Sequence, residues 1–576
     1  MKKSLVVASC TAAFSVAMAG LTGCGGSSSA AAVVPVAAIS SFTAASATIT
    51  DGTSTTITGV FTGGAGVITP GNIAATSGTA VTVSPTATTT YTLTVTPAGG
   101  AAVTKTVTIT VTAAASSTVT VDLTSSGPKV TDQLLGMNMA AWFDDASSTN
   151  EPMIQSAFQE AGIKAIRWPG GSWSDAYNWE TNTECGSTAN SNDDFTDFVN
   201  NLIIPAGLDL ALTADYGTGE NCTGPGDPAE AASWAAKAVT LGVPASHMTV
   251  GNEEYGSWET DNHTLKNDAT TYAAAVTGAS GYYALIKAAS PGTLVGVDVN
   301  PGNSPAWDPI VLSGAPYDFV EFHYYPEAPG SEDDTFIVQQ AAQQLTTNIN
   351  TIKSELATAG VPNTPIYVGE MGSVSSNPGK QSMSITQALF AGQVLGEMMN
   401  DGVSRATWWI GFGNCNGAAG NDSSSLYGWQ SYGAYNVFSD GPSEDPTCPD
   451  SGPIGTLDPT ALAFQLFSNV AVNGENALTA AVAGETTDVV AYAATHSGGT
   501  ALVVFNRNET TPEPVTISLS GTNSSNGVTV ITYSKAIYDQ SQNNVWAPPT
   551  TTPMGAQSLP LTLTLAPWSM NVVLLQ

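Results

Sequence analysis

At 576 residues the chain is longer than one ordinary domain, and an apolar share of 42% with 12 Trp argues for a large buried core rather than disorder. Its formal charge of −33, from 14 basic against 47 acidic side chains, repels phosphate backbones and offers no basic patch interleaved with aromatics. That speaks against nucleic acid as a partner and leaves neutral polymers as suitable ones.

The chain opens with Lys2 and Lys3, an apolar stretch from Leu5 to Ala19, and then Leu21-Thr22-Gly23-Cys24. This pattern reads as a secretion signal, too short for an ordinary membrane span. The last four residues resemble the bacterial lipobox. The resemblance implies removal of 1–23, lipidation of Cys24, a flexible tether over 24–35 and anchoring at the outer membrane or cell surface. A plain signal peptide cut elsewhere is the alternative, with a periplasmic or secreted product. Once Cys10 is removed and Cys24 lipidated, Cys185, Cys222, Cys415 and Cys448 remain. An even number in an exported protein points to two disulfides among three pairings, 185 with 222 and 415 with 448 being favoured. A metal site is the weaker reading, because no CxxC or HxxxH spacing is present.

From 36 to 112 the composition turns to Thr, Val, Ala and Gly, and alternating runs such as Thr90 to Thr96 and Val103 to Val111 read as half-exposed strands of a small β-sandwich. The stretch is similar to bacterial immunoglobulin-like modules, which implies a spacer more than a sugar-binding role. Residues 118–131 carry a strand, Val119 to Leu123, expected to join a later sandwich.

Over 132–475 short β-rich runs alternate with alanine-rich helical ones. The strand runs are 134–142, 164–168, 208–214, 247–253, 293–299, 318–325, 365–370 and 405–411. Asp227-Pro228-Ala229-Glu230 supplies an N-cap, a first-turn proline and a capping acid, and Gly242 stops the helix that follows. Eight such units predict a (β/α)8 TIM barrel, whose functional face lies at the C-terminal strand ends. From 476 to 576 the pattern is all-β again, with strands at 489–493, 501–505, 515–519, 528–533 and 570–575, a C-terminal β-sandwich. The whole is multidomain.

Glu253 and Glu370 end the fourth and seventh strand runs, each before a glycine-bearing loop. Double displacement at a sugar needs one carboxylic acid to protonate the leaving oxygen and a second carboxylate to attack the anomeric carbon. Strands 4 and 7 face each other across a barrel pocket, so these two acids are the candidate pair. Asn252 stands beside Glu253, where an amide can hold a sugar hydroxyl. Glu254 competes with Glu253 for the acid role but is expected to turn toward the loop. His323 and Tyr325 share one side of strand 6.

Ile166-Arg167-Trp168-Pro169-Gly170-Gly171-Ser172-Trp173, Tyr177-Asn178-Trp179-Glu180 and the Asn-Glu pair together resemble the clan A retaining glycoside hydrolases, most of all the family 51 α-L-arabinofuranosidases. The resemblance covers about 118–576. It implies Glu253 as acid/base, Glu370 as nucleophile, Asn252 as a 2-hydroxyl partner and Arg167 near the nucleophile. Arg167 would keep Glu370 ionised, whereas burial near Tyr255 or Trp258, or repulsion from Glu370, would keep Glu253 protonated. Asn138, Trp173 and Trp408 complete the expected sugar contacts, with Trp179 and Trp409 as further platforms and Asp215 and Asp298 at strand ends. One of Trp408 and Trp409 should face the pocket and the other the helices. No cofactor or metal is expected.

Strand 1 lacks the family's acidic residue, and Met371-Gly372-Ser373 lacks its tryptophan-rich continuation. Therefore β-xylosidase, β-glucuronidase and endo-β-glycanase activities stay open beside arabinofuranosidase, as does a non-catalytic carbohydrate-binding surface lipoprotein.

Overall fold

The computed structural model describes residues 36–576 apart from position 52 and the stretches 113–115, 143–150, 190–193, 303–305, 414, 418–431, 442–451, 485–486 and 542–544. The leader at 1–23, the tether with Cys24, the side chain of Cys415 and the whole of Cys448 lie outside the described residues. The chain divides into two compact units between Ala113 and Ala114.

The first unit holds a three-stranded and a five-stranded sheet. Its alternating sequence works as a pleat should: along Thr89–Thr96 the side chains of Tyr91, Leu93 and Val95 are buried while the threonines between them are not. Phe42, Ile57, Phe61, Ile68 and Ile109 complete that core.

In the second unit eight parallel strands close into a barrel in chain order: β1 Gly136–Asn138, β2 Ala165–Trp168, β3 Asp209–Ala214, β4 His247–Val250, β5 Leu294–Asp298, β6 Phe319–Tyr324, β7 Ile366–Met371 and β8 Arg405–Trp408. Strands β2, β7 and β8 are buried along their whole length, the mark of strands packed inward on one face and covered by helices on the other. The helix Pro228–Thr240 starts where the sequence predicts, with the Asp227 carboxylate accepting from Ala229 N at 2.8 Å. Among the described residues no helix is long and apolar enough to cross a membrane.

One nine-stranded sheet follows the barrel. Ser117–Asp122 sits inside it, antiparallel to Ala477–Ala483 and parallel to Glu513–Leu519, so chain from before the barrel completes a sheet built after it. The helix Ile385–Asp401 lies between barrel and sheet and is buried almost throughout. Gly392 and Gly396 allow that approach, since a Cβ would stand 2.8 Å from Met570 Sδ at the first and 2.4 Å from Tyr492 Cδ2 at the second. Three strands of this sheet are not among the sequence's expected runs: Ala477–Ala483, Thr550–Ser558 and Leu561–Leu565. Thr550–Ser558 carries Pro and Gly and is exposed nearly end to end, which removes the hydrophobic alternation that betrays a strand.

Candidate active site

Strand β4 stops at Val250, three residues earlier than its hydrophobic run, because Gly251 turns the chain at φ 80°. Glu253 therefore stands in the loop beyond the strand, at φ 50°, a left-handed conformation costing a non-glycine residue about 1 kcal/mol. Three hydrogen bonds hold the turn: Gly251 N to Ala214 O at 2.9 Å, Gly256 N to Glu253 O at 2.6 Å, and Tyr272 Oη to Val250 O at 2.6 Å. The turn sends Glu253 into a cavity of about 710 Å³ at the C-terminal end of the barrel and sends Glu254 into the protein. Glu370, inside β7, enters the same cavity from the other side.

His323 stands between the two acids. Its Nδ1 is 2.8 Å from Glu253 Oε1 and 3.7 Å from Glu370 Oε2, so these two oxygens are no farther apart than the sum of those legs, about 6.5 Å. The other oxygen of Glu253 accepts from Trp258 Nε1 at 2.7 Å. Glu370 Oε1 accepts from Arg167 Nη1 at 3.1 Å and Oε2 from Tyr325 Oη at 2.8 Å. All four carboxylate oxygens thus meet donors, the environment of ionised groups.

Arg167 is fully buried and ties the site together. It pairs through Nε with Glu321 Oε1 at 3.0 Å and donates through Nη1 to Asn138 Oδ1 at 2.9 Å and through Nη2 to Asn252 Oδ1 at 2.8 Å. Glu321, absent from the sequence reading, accepts from Thr249 Oγ1 and lies 3.3 Å from His323 Nε2. Its signal was available, for Glu321, His323 and Tyr325 alternate along one strand and so share a face.

Burial pushes the Glu253 carboxyl up, but the hydrogen bond and charge of His323, the Trp258 donor and Arg167 outweigh it and hold the group below its ordinary value. Burial works against the charged form of His323 too, yet Glu370, Glu253 and Glu321 raise it well above the usual imidazole value. These directions run against the expected protonated Glu253 and favour His323, 2.8 Å away, as the protonated partner.

A second group of acids lies behind the first. Asp175 and Glu254 are fully buried, and their carboxyls hydrogen-bond to each other rather than to an N–H or hydroxyl donor among the described residues. Burial first, then mutual repulsion with neighbouring acids, raises both well above the carboxylate range. Asp215 and Asp298 are raised likewise by burial, although Asp215 accepts from Thr218 N at 2.8 Å. Glu259 links the two groups. Its Oε1 accepts from Ser172 Oγ at 2.8 Å and Asn252 Nδ2 at 3.1 Å, and burial raises it to about 7.

Of the expected sugar-contacting residues, Asn252, His323 and Tyr325 line the cavity. Trp408 does not: it is buried against Phe390 and Phe464 on the helix side, and Trp409 is the strand-end tryptophan that lines the cavity. Asn138 is also corrected, being fully buried with its amide donating to Gly369 O at 2.9 Å and its oxygen occupied by Arg167. Arg167 reaches Glu370 as expected but is sealed from the cavity by its own partners. Trp173 is half-buried one layer out, edge-on to Trp142, which in turn packs on Trp409. Trp179 stacks on Trp234, away from the cavity. Cys185 and Cys222 form a disulfide joining the loops after β2 and β3. Ser172, Ser375, Ser376, Asn300 and Tyr435 line the cavity without having been singled out in the sequence.

This fold belongs to a group of known barrels followed by a β-domain. No family profile and no curated protein sequence matches the chain. Among solved structures, the α-L-arabinofuranosidase of Thermotoga maritima in complex with arabinose aligns at 17% identity and TM-score 0.59, over 80% of this chain and 100% of that one. The GH51 arabinofuranosidase of Xanthomonas axonopodis pv. citri aligns at 16% and 0.57, over 80% and 100%. The family 44 xyloglucanase of Paenibacillus polymyxa aligns at 14% and 0.55, with the same coverage. At these identities the likeness is one of fold.

Proposed function

We propose that the protein is a retaining glycoside hydrolase, with Glu370 as nucleophile and Glu253 as acid/base. The observation that carries the proposal is the convergence of both carboxylates on one cavity with oxygens at most about 6.5 Å apart. Double displacement uses a spacing of about 5 to 5.5 Å, and inversion requires about 6.5 to 9.5 Å to admit a water.

In the first step a Glu370 oxygen bonds to the anomeric carbon while the glycosidic C–O bond breaks and its oxygen takes a proton from Glu253. That proton is supplied along the His323–Glu253 hydrogen bond: as bond formation consumes the Glu370 charge, His323 loses a carboxylate that stabilised its cation, and the proton moves to Glu253. In the second step water attacks the same carbon, Glu253 takes the water's proton, and Glu370 leaves. Asn252 is fixed by Arg167 and Glu259, which leaves one amide hydrogen for the 2-hydroxyl of the sugar.

The favoured glycone is α-L-arabinofuranose, supported by the arginine-tryptophan stretch and by the arabinofuranosidases among the fold neighbours. The xyloglucanase neighbour keeps β-glycan and xyloside cleavage as the second reading. Nitrophenyl arabinofuranoside, xyloside, galactofuranoside and glucuronide, assayed beside intact polysaccharides, separate these. Glu370→Ala should abolish turnover and, with azide, yield the glycosyl azide of inverted configuration. Full activity in that variant would remove the assignment. The reading includes export and lipidation at Cys24, tested by labelling with a fatty-acid probe that Cys24→Ser should eliminate.

A further inference from the structure

Trp258 presents an unusual combination. It lines the catalytic cavity and donates its indole N–H to Glu253 Oε2 at 2.7 Å, yet the residue is 64% exposed. An indole left in water loses apolar burial, and here the loop does not let it fold away. Asn267 Nδ2 donates to Gly256 O at 2.7 Å, and Asp261 accepts from Asn267 N and His263 N, each at 2.7 Å, which ties the loop to itself. Gly256 leaves room for the ring to lie over the backbone, because a Cβ there would stand 2.3 Å from Trp258 Cε2.

The two tryptophans of the cavity occupy different sides of the reaction. A Cβ on Gly171 would lie 2.9 Å from Trp409 Cη2 and 3.3 Å from Glu370 Oε1, so Trp409 is beside the nucleophile and hence beside the sugar that is attacked. Trp258 is beside the acid, and an acid must reach the oxygen that departs. We propose that the exposed face of Trp258 is the platform for the sugar on the leaving-group side of the scissile bond, which makes a saccharide leaving group, rather than a small alcohol, the chemistry this site selects. The inference rests on the hydrolase reading and deepens it. C–H groups of a sugar face pack on the indole, while its edge holds Glu253 in place for that sugar's oxygen.

The test compares wild type, Trp258→Ala and Trp258→Phe in the full chain on two substrates with one glycone: the glycosyl fluoride, whose leaving group is a single atom, and an oligosaccharide. For Trp258→Ala the loss of kcat/KM on the oligosaccharide should exceed the loss on the fluoride by about tenfold or more, mainly in KM. Trp258→Phe keeps a ring and should retain most of the oligosaccharide preference. Because it removes the N–H that helps hold Glu253 down, it should move the limb of the pH profile belonging to Glu253 upward on both substrates. Equal losses on the two substrates in Trp258→Ala, or no loss on the oligosaccharide, would overturn the proposal. Absence of fluoride turnover in the wild type would instead overturn the hydrolase reading, so the two failures are distinguishable.

Discussion

Glu253 and Glu254 are neighbours in sequence and opposites in chemistry. The first joins Glu370 and Glu321 around two cations, Arg167 and His323, and receives two N–H donors. The second joins Asp175, its carboxyl hydrogen-bonded to that acid and facing no cation among the described residues. Acids paired with cations stay charged, and buried acids that face only other acids take up protons instead of bearing the cost of desolvation. The backbone turn at Glu253 decides which residue goes to which place, so a carboxylate's function here is set by its surroundings rather than by its type.

The largest expected effects follow from breaking that difference. Glu370→Ala should lower kcat by about 10⁴-fold or more, as loss of a covalent nucleophile does. Glu253→Ala should cost about 10² to 10⁴-fold on poor leaving groups and much less on an activated aryl glycoside. Glu254→Gln replaces a neutral acid by a neutral amide, and its kcat should stay within about tenfold of wild type. An equally deep loss in Glu254→Gln would show that the second group carries charge after all.

Arg167→Met comes next. Removing one partner of a buried ion network costs about 3 to 5 kcal/mol, because Glu321 and Glu370 are left buried without their counter-charge. Thermal melting should reveal it, with activity falling as well. Arg167→Lys should rescue stability only in part, since an ammonium cannot address Glu321, Glu370, Asn138 and Asn252 from one plane.

The two groups also oppose each other in pH. Glu253 and Glu321 are lowered in the fold, so the stability they contribute is present above the ordinary Glu value, about 4.3, and fades as pH falls through their lowered values. Asp175, Glu254 and Glu259 are raised, so their contribution is present below that range and is lost as pH climbs through their folded values, about 7 for Glu259. His323, raised above its ordinary imidazole value, acts in the same direction at higher pH. Melting temperature should therefore peak on the acid side of neutrality. Glu259→Gln should flatten the decline toward pH 7 by roughly 1 to 3 kcal/mol.

Much of this site could be read from residues alone, and the failures share a cause. Glu370, His323 and Tyr325 lie at or near strand ends, on strands whose side chains alternate, so a period of two places them, while Glu253 is found because it follows the fourth strand run at the same end of the barrel. Asn138 is expected among the sugar contacts, whereas β1 covers only three residues, all buried, and holds the asparagine inside the wall. Trp408 and Trp409 alternate as required, but parity can be fixed only once the strand is known to end at Trp408. Glu259 and Trp258 lie in a loop after β4 that folds back by hydrogen bonds between distant positions, and no periodicity encodes that.

The smallest effect is expected at Ser172, whose hydroxyl donates to Glu259 Oε1 and lines the cavity. A donor to the charged form lowers a carboxyl, so Ser172→Ala should raise Glu259 further and enlarge its neutral fraction near pH 7. Neutral Glu259 attracts the Asn252 amide less, and that amide is the proposed 2-hydroxyl partner. The loss should be about 0.5 to 1.5 kcal/mol of transition-state stabilisation, the scale of one hydrogen bond, appearing as a fall in kcat/KM of up to about tenfold that is largest around and just above pH 7 and disappears at lower pH, where Glu259 is neutral in both proteins. The same fall at every pH would place Ser172 directly against the sugar and leave Glu259 as a structural acid of the second group.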